Sequence, residues 1–272
     1  MSFAALLETL NSVIWSPALV FLCLAVGVYF TLTTLFLQVR CLPDMMRQIV
    51  SNKKSGSGVS SFESLMISLA GRVGVGNIAG VATAIAFGGP GAVFWMWAVA
   101  LLGSATSFIE CTLAQIYKEK DRDTGEYRGG PAYYIEKAYK HTRAGKFMLV
   151  YAVVFAVAMM LATSYFLPGI QANGVAAAMH NAWGTDVRIS AVVLGILLAV
   201  IIMGGVRRIA NFASLVVPLM AVVYILASIV IMFVNFDRID DVFSLIFRSA
   251  FDQEAMFSGM LGAAIMWGVK RG

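Results

Sequence analysis

Charge is scarce in this chain of 272 residues. Only 13% of its residues are Asp, Glu, Lys or Arg, about half the share of a soluble domain. Cysteine is also scarce. Cys23, Cys41 and Cys111 are odd in number and lie in or beside apolar runs, which excludes a disulfide framework and a metal-binding spacing. The two histidines, His141 and His180, stand alone. Cys, His and acidic residues never gather, so a nucleophile with its base has no candidate set and an enzyme is not expected. No basic segment precedes the first apolar run, and that run is too long for a signal peptide. What remains is 60% hydrophobic, with a mean hydropathy of +0.81. Several windows exceed the ~18 apolar residues of a spanning helix. The net charge of +5 then marks cytoplasmic loops rather than a nucleic-acid partner.

The pattern predicts an all-α polytopic bundle in the lipid bilayer with about seven helices. Spans are expected near 13–38, 62–87, 92–117, 147–180 (ending or kinked at Pro168), 189–203, 209–236, and from about Ala255 onward. Arg40, Arg47, Lys53 and Lys54 follow the first span. Eight Lys and Arg lie between Lys118 and Lys146, and Arg207 with Arg208 precede the sixth span. Alternating spans put all three basic loops on one side. Glu8, Asp186, Asp237, Asp240, Asp241, Asp252 and Glu254 fall on the other. The basic side is read as cytoplasmic, so the N-terminus is expected outside. The last apolar run is still in progress at Lys270 and Arg271, which reads as the N-terminal part of a longer protein.

One stretch breaks the apolar rule. Residues 71–80 read GRVGVGNIAG, and each glycine inside a helix costs about 1 kcal/mol relative to alanine. Gly74, Gly76 and Ala79 fit a dinucleotide fingerprint, but neither the preceding strand nor the acidic residue about 20 positions on is present. Two readings stay open. Gly76 and Gly80 form a G-x-x-x-G pair suited to helix packing. Alternatively the helix unwinds near mid-membrane, where half-helix N–H groups attract a carboxylate and freed carbonyls hold a cation. Asn77 would add an uncharged oxygen ligand.

GRVGVGNIAGVATAIAFGGPGAVFWMW, then GEYRGGPAYYIEKA, then WGVKRG, in that order, resemble the sodium:alanine/glycine symporter family, the amino acid carrier proteins. The resemblance runs over nearly the whole chain. It implies a LeuT-type inverted-repeat fold, incomplete here, with residues 1–61 as an extra helix and cytoplasmic loop. Residues 62–236 would form the first five-helix repeat and 237–272 the start of the second. By position, Gly74, Val75 and Gly76 would be unwound backbone, with Gly74 and Gly76 offering N–H groups to a substrate carboxylate. Val73 and Ala70 would offer carbonyls to sodium, and Asn77 a side-chain ligand. Trp267 and Gly268 would lie near the substrate. Sodium would be the coupling ion, with no other metal or cofactor, and the substrate a small neutral amino acid.

Other polar residues carry two readings each. Arg72 and Glu110 lie about 15 and 10 Å from the cytoplasmic surface, counted at 1.5 Å per residue. They are expected to form an intramembrane charge pair, structural or gating. Gln171 and Asn173 follow Pro168. Being two apart they do not share a helix face, so at most one points at a cavity. The resemblance favours Gln171 as a substrate contact; the plainer reading is a polar helix end. Arg128–Lys140 is expected to form an amphipathic surface helix from Pro131, with lysines reaching water, or a gate element. The sequence therefore predicts a sodium-coupled symporter of alanine or glycine in the cell (inner or plasma) membrane, working by alternating access. A membrane fragment with a structural or regulatory role, without transport, is the alternative.

Overall fold

Lipid offers no hydrogen-bond partner, so apolar runs must close their backbone bonds internally, as helices. The computed structural model follows this rule throughout. It describes residues 5, 9, 16–51, 60–123, 125, 127–251 and 260–271. The helices are α1 (Pro17–Thr33), α2 (Leu37–Arg40), α3 (Leu42–Ser51), α4 (Ser61–Ala70), α5 (Val75–Gly88) and α6 (Gly91–Ile116). A two-residue antiparallel hairpin follows, β1 (Glu119–Lys120) and β2 (Tyr127–Arg128). Then come α7 (Pro131–Tyr139), α8 (Gly145–Leu161), α9 (Leu167–Trp183), α10 (Val187–Ile202), α11 (Gly205–Val234), α12 (Ile239–Phe251) and α13 (Met260–Arg271). Among the described residues, three stretches are long and apolar enough to cross a bilayer: Gly91–Ile116, Gly145–Trp183 and Arg208–Val234. Their apolar side chains point outward, as at Leu101 (55% exposed), Val150 (62%) and Ile231 (63%). Such a surface is stable against acyl chains and not against water.

The structure departs from the sequence reading in two places and decides a third. The first span stops at Thr33 rather than Gln38. Leu35 and Phe36 take left-handed conformations (φ 53° and 54°), and the chain turns into α2 and α3. The acidic stretch after the sixth span, expected as a loop, contains the amphipathic helix α12. Asp240 and Asp241 lie in its first turn and Arg248 in its last, which suits the helix dipole at both ends. Ile246 and Ala250, four apart, are its buried positions. At Pro168 the helical stretch continues rather than ends, the second of the two expected outcomes. A π-helical turn, Ala162–Phe166, joins α8 to α9, so the proline begins a new helix where its missing N–H costs nothing. The start expected for the last span, near Ala255, lies outside the described residues.

The chain divides into two compact units, Met1–Pro43 with Asn77–Ile109 and Leu226–Gly272, and Asp44–Gly76 with Glu110–Ile225. In the first unit, backbones meet closely through small residues. A Cβ on Gly91 would lie 2.5 Å from Ser249 O, and one on Gly268 would lie 2.8 Å from Ala92 O. Phe94 packs against Phe251 with ring centroids 4.8 Å apart, docking α12 onto the start of α6. In the second unit, Met66, Ala213 and Val217 form the buried cluster, flanked by Phe62, Leu65, Ile67 and Leu69. α4 is thereby fixed on α11. Its N-terminus is held by a capping box. Ser60 Oγ accepts from the Glu63 N–H at 3.2 Å and the Ser60 N–H donates to Glu63 Oε2 at 2.6 Å. Two orphan N–H groups are satisfied reciprocally in this way.

Candidate functional site at the helix break

The glycine-rich stretch interrupts its helix. α4 ends at Ala70 and α5 begins at Val75, so the break is Gly71–Gly74. This corrects the expected unwound segment, Gly74–Gly76, toward the N-terminus. Val75, Gly76 and Asn77 are instead the first turn of α5. The displacement matters chemically, because the first four N–H groups of a helix have no acceptor within it. Gly76 therefore presents its N–H from a helix end.

That N–H has a partner 95 positions away. Gln171, in the first turns of α9, places Oε1 3.3 Å from the Gly76 nitrogen and accepts from it. A Cβ on Gly74 would lie 3.2 Å from Gln171 Oε1, and one on Gly76 would lie 3.0 Å from Gln171 Nε2. Three residues singled out from sequence, Gly74, Gly76 and Gln171, thus meet within the second unit. The two glycines have the same reason to be glycine: side chains there would crowd the carboxamide. Gly80 is different. It is buried, and a Cβ there would meet Arg271 Cδ at 3.5 Å. Gly76 and Gly80 therefore face different neighbours, and the two together are not one packing seam. Asn173 is exposed, as expected for a residue two positions from one that faces inward.

The break has a second polar feature. Leu69 O accepts from the N–H groups of both Arg72 and Val73 at 2.9 Å. The Arg72 guanidinium turns back, donating from Nη1 to Ser68 O at 2.9 Å and to Ser68 Oγ at 2.6 Å. A cation at a helix C-terminus is well placed against the dipole. Glu110, on α6, lies in the surroundings of Tyr134 on α7. Burial, then Glu110 and Tyr151, push the Tyr134 phenol above its ordinary 10.0, so Tyr134 is a neutral donor at any physiological pH.

α7 begins at Pro131, as the sequence indicates, but its lysines do not all reach water. Lys137 Nζ donates to Tyr117 O at 3.1 Å, pairs with Glu119 at 2.6 Å and lies 4.9 Å over the Tyr133 ring. It ties α7 to the end of α6. In the first unit, Trp267 stacks on Phe87 at 5.2 Å, and a Cβ on Gly268 would lie 2.5 Å from Trp95 Cβ. Both positions have a packing role there. Ala70 closes α4, Val73 lies in the break, and Asn77 is exposed in the first turn of α5.

Apolar helices with lipid-suited surfaces, one of them broken where a polar side chain meets its N-terminal donors, make this chain a multi-pass helical membrane protein. It belongs to the sodium:alanine symporter family, which matches it over residues 1–272. Among its relatives is YrbD of Bacillus subtilis (strain 168), which carries the name of a sodium/proton-dependent alanine carrier. The two are 51% identical over 99% of this chain and 54% of the relative. GlnT of the same organism, which carries the name of a sodium/glutamine symporter, is 43% identical over 96% and 53%. The sodium/alanine symporter AgcS of Methanococcus maripaludis is 42% identical over 100% and 60%. The chain spans about half the length of these curated relatives. All are named as carriers or symporters, not as enzymes.

Proposed function

We propose that this chain contributes to sodium-coupled uptake of a small neutral amino acid, alanine or glycine, by alternating access in the cell membrane. The observation that carries the reading is the break at Gly71–Gly74 with the Gly76 N–H held by Gln171 Oε1. An amide oxygen on a helix N-terminal donor occupies the kind of place where a substrate carboxylate binds. In this reading Gly74 and Gly76 offer N–H groups to the carboxylate and Gln171 contacts the substrate. Ala70 and Val73 carbonyls and the Asn77 side chain hold sodium, and Trp267 and Gly268 line the amino acid's side-chain end. Asn173 stays a peripheral candidate. The Cβ clearances at Gly74 and Gly76 favour a small substrate, because space at the break is limited by the carboxamide. The names of the relatives support sodium and an amino acid; GlnT widens the candidates beyond alanine, and YrbD adds the proton as a coupling ion.

The architecture that goes with this function is a LeuT-type inverted repeat of about seven helices in this chain. Residues 1–61 are the extra helix and loop, 62–236 the first repeat and 237–272 the opening of the second, with the N-terminus outside. The test is uptake of labelled alanine by proteoliposomes holding the complete protein, with and without an inward sodium gradient. Sodium-stimulated uptake, with Asn77→Ala raising the half-saturating sodium, is the expected result. Uptake indifferent to sodium and to protons would overturn the reading. Sodium dependence unchanged in Asn77→Ala would remove Asn77 from the ion site.

A further inference from the structure

The loop between α6 and α8 carries more positive charge than the function above uses. Part of it is neutralised locally. Arg128 pairs with Asp121, and Lys137 with Glu119. Lys118 lies 4.5 Å over the Tyr127 ring and donates to Gln115 at 2.6 Å. The corner between α7 and α8 is another matter. Lys140, His141, Arg143 and Lys146 are all exposed there, and no salt bridge among the described residues involves them. In the sequence, Glu136 is the last acidic residue before Asp186.

The corner is tight, which concentrates the charge. Thr142 N–H and Thr142 Oγ donate to Tyr139 O at 3.0 and 2.8 Å, and the Gly145 N–H donates to Thr142 O at 3.0 Å. A Cβ on Gly145 would lie 2.9 Å from Tyr139 O, so the chain folds back on itself and brings Lys140 near Lys146. The basic cluster is flanked by exposed aromatic rings, Tyr139 (43%) and Phe147 (70%). Directly behind it starts Gly145–Trp183, the longest apolar helical stretch among the described residues. A basic cluster with aromatic flanks at the mouth of a spanning helix sits at headgroup depth.

We infer that the α7–α8 corner is a binding surface for anionic phospholipid headgroups. Lys140, Arg143 and Lys146 contact the phosphate oxygens, and Tyr139 and Phe147 rest in the interface beside them. The lipid supplies the negative charge that the chain itself omits from residues 137–185. By holding this corner at the surface, the lipid also fixes the end of α7 that Lys137 ties to α6.

The experiment is a native mass-spectrometric titration of the complete protein in detergent with phosphatidylglycerol and, separately, phosphatidylcholine. The wild type binds phosphatidylglycerol more tightly, and that preference falls as salt rises. Each basic residue replaced by glutamine weakens phosphatidylglycerol by about fivefold. Lys140→Gln with Arg143→Gln and Lys146→Gln weakens it on the order of a hundredfold, without changing phosphatidylcholine. Lys140→Arg with Lys146→Arg retains the affinity, and Lys118→Gln leaves it unchanged. A triple variant that binds phosphatidylglycerol as tightly as wild type overturns the inference. Should that variant fail to fold, the wild type decides: a phosphatidylglycerol preference that persists in high salt also overturns it.

Discussion

The contact between Gly76 and Gln171 makes a quantitative prediction about replacing the glycine. Gly76→Ala does two opposing things. The methyl group favours α5 by up to about 1 kcal/mol through helix propensity. It also arrives 3.0 Å from Gln171 Nε2, tighter than an ordinary Cβ contact, so the carboxamide must give by a few tenths of an ångström. That shift breaks the 3.3 Å bond to the Gly76 N–H, worth about 1 kcal/mol, and adds a repacking cost of about 1 kcal/mol or more. In wild type the two sides leave Gly76→Ala destabilised by about 1 kcal/mol. In a Gln171→Ala background the obstacle is gone and the bond is already lost. There the same substitution becomes neutral or stabilising by about 0.5–1 kcal/mol. The coupling between the two sites is then about 1.5–2 kcal/mol, within the range for residues in direct contact. The assay is unfolding of the four variants in mixed micelles by titrated dodecyl sulfate, followed by circular dichroism. Effects that simply add, to within about 0.3–0.5 kcal/mol, would refute the claim that Gln171 is what keeps Gly76 a glycine.

Three further outcomes are expected. Gly91→Ala puts a methyl group 2.5 Å from Ser249 O, against backbone that cannot rotate away. It should cost about 3 kcal/mol or more, whereas Gly103→Ala, with open space around it, should be neutral or gain up to about 1 kcal/mol; thermal unfolding in detergent separates the two, and equal losses would refute the packing argument. Arg72→Gln removes the charged donor to Ser68 and the charge at the end of α4, a loss of about 1 kcal/mol in the same assay, with Ser68→Ala recovering part of it; no loss would mean the bond contributes nothing. The Tyr134 phenol has a native pKa raised above 10.0. Its contribution to stability is fully present below pH 10.0 and is lost as pH rises through the native value, because the folded state then keeps a proton that the unfolded state releases. Tyr134→Phe should flatten the alkaline limb of the stability profile, and an unchanged limb would assign it to other groups.

Much of this protein follows from composition and order alone. Sixty per cent apolar residues in long runs leave a chain no stable state except helices in lipid, since every backbone group must find its partner nearby. An interruption of the second span was one of the two readings left open by the glycines crowded within Gly71–Gly76. The capping box at Ser60 and Glu63 is a three-residue signal that marks where that span starts, and it could have been read directly. Helix α12 was harder. Its charges belong to the ends and one face of an amphipathic helix, and in a membrane chain an acidic run looks first like an outer loop.

Tertiary structure decided the rest. Glycine content leaves open whether and where a helix breaks; in the fold, α4 ends at Ala70, next to Leu69, which flanks the cluster of Met66, Ala213 and Val217. That placed the break at Gly71–Gly74 and turned Gly76 into a helix-end donor. The sequence suggested Gln171 and Gly76 separately. Their meeting depends on a π turn ahead of Pro168 and on 95 residues of intervening chain, and no local propensity encodes such a contact. Arg72 illustrates the same division. Its cost in a membrane is plain from the sequence, while its neighbour is set by geometry: Ser68, one turn back at the end of α4, is within reach, and the guanidinium takes it. Local patterns thus determine which segments become helices, because helical hydrogen bonds are local. Which side chains share a site is decided by long-range packing, because those contacts close over distances the sequence does not measure.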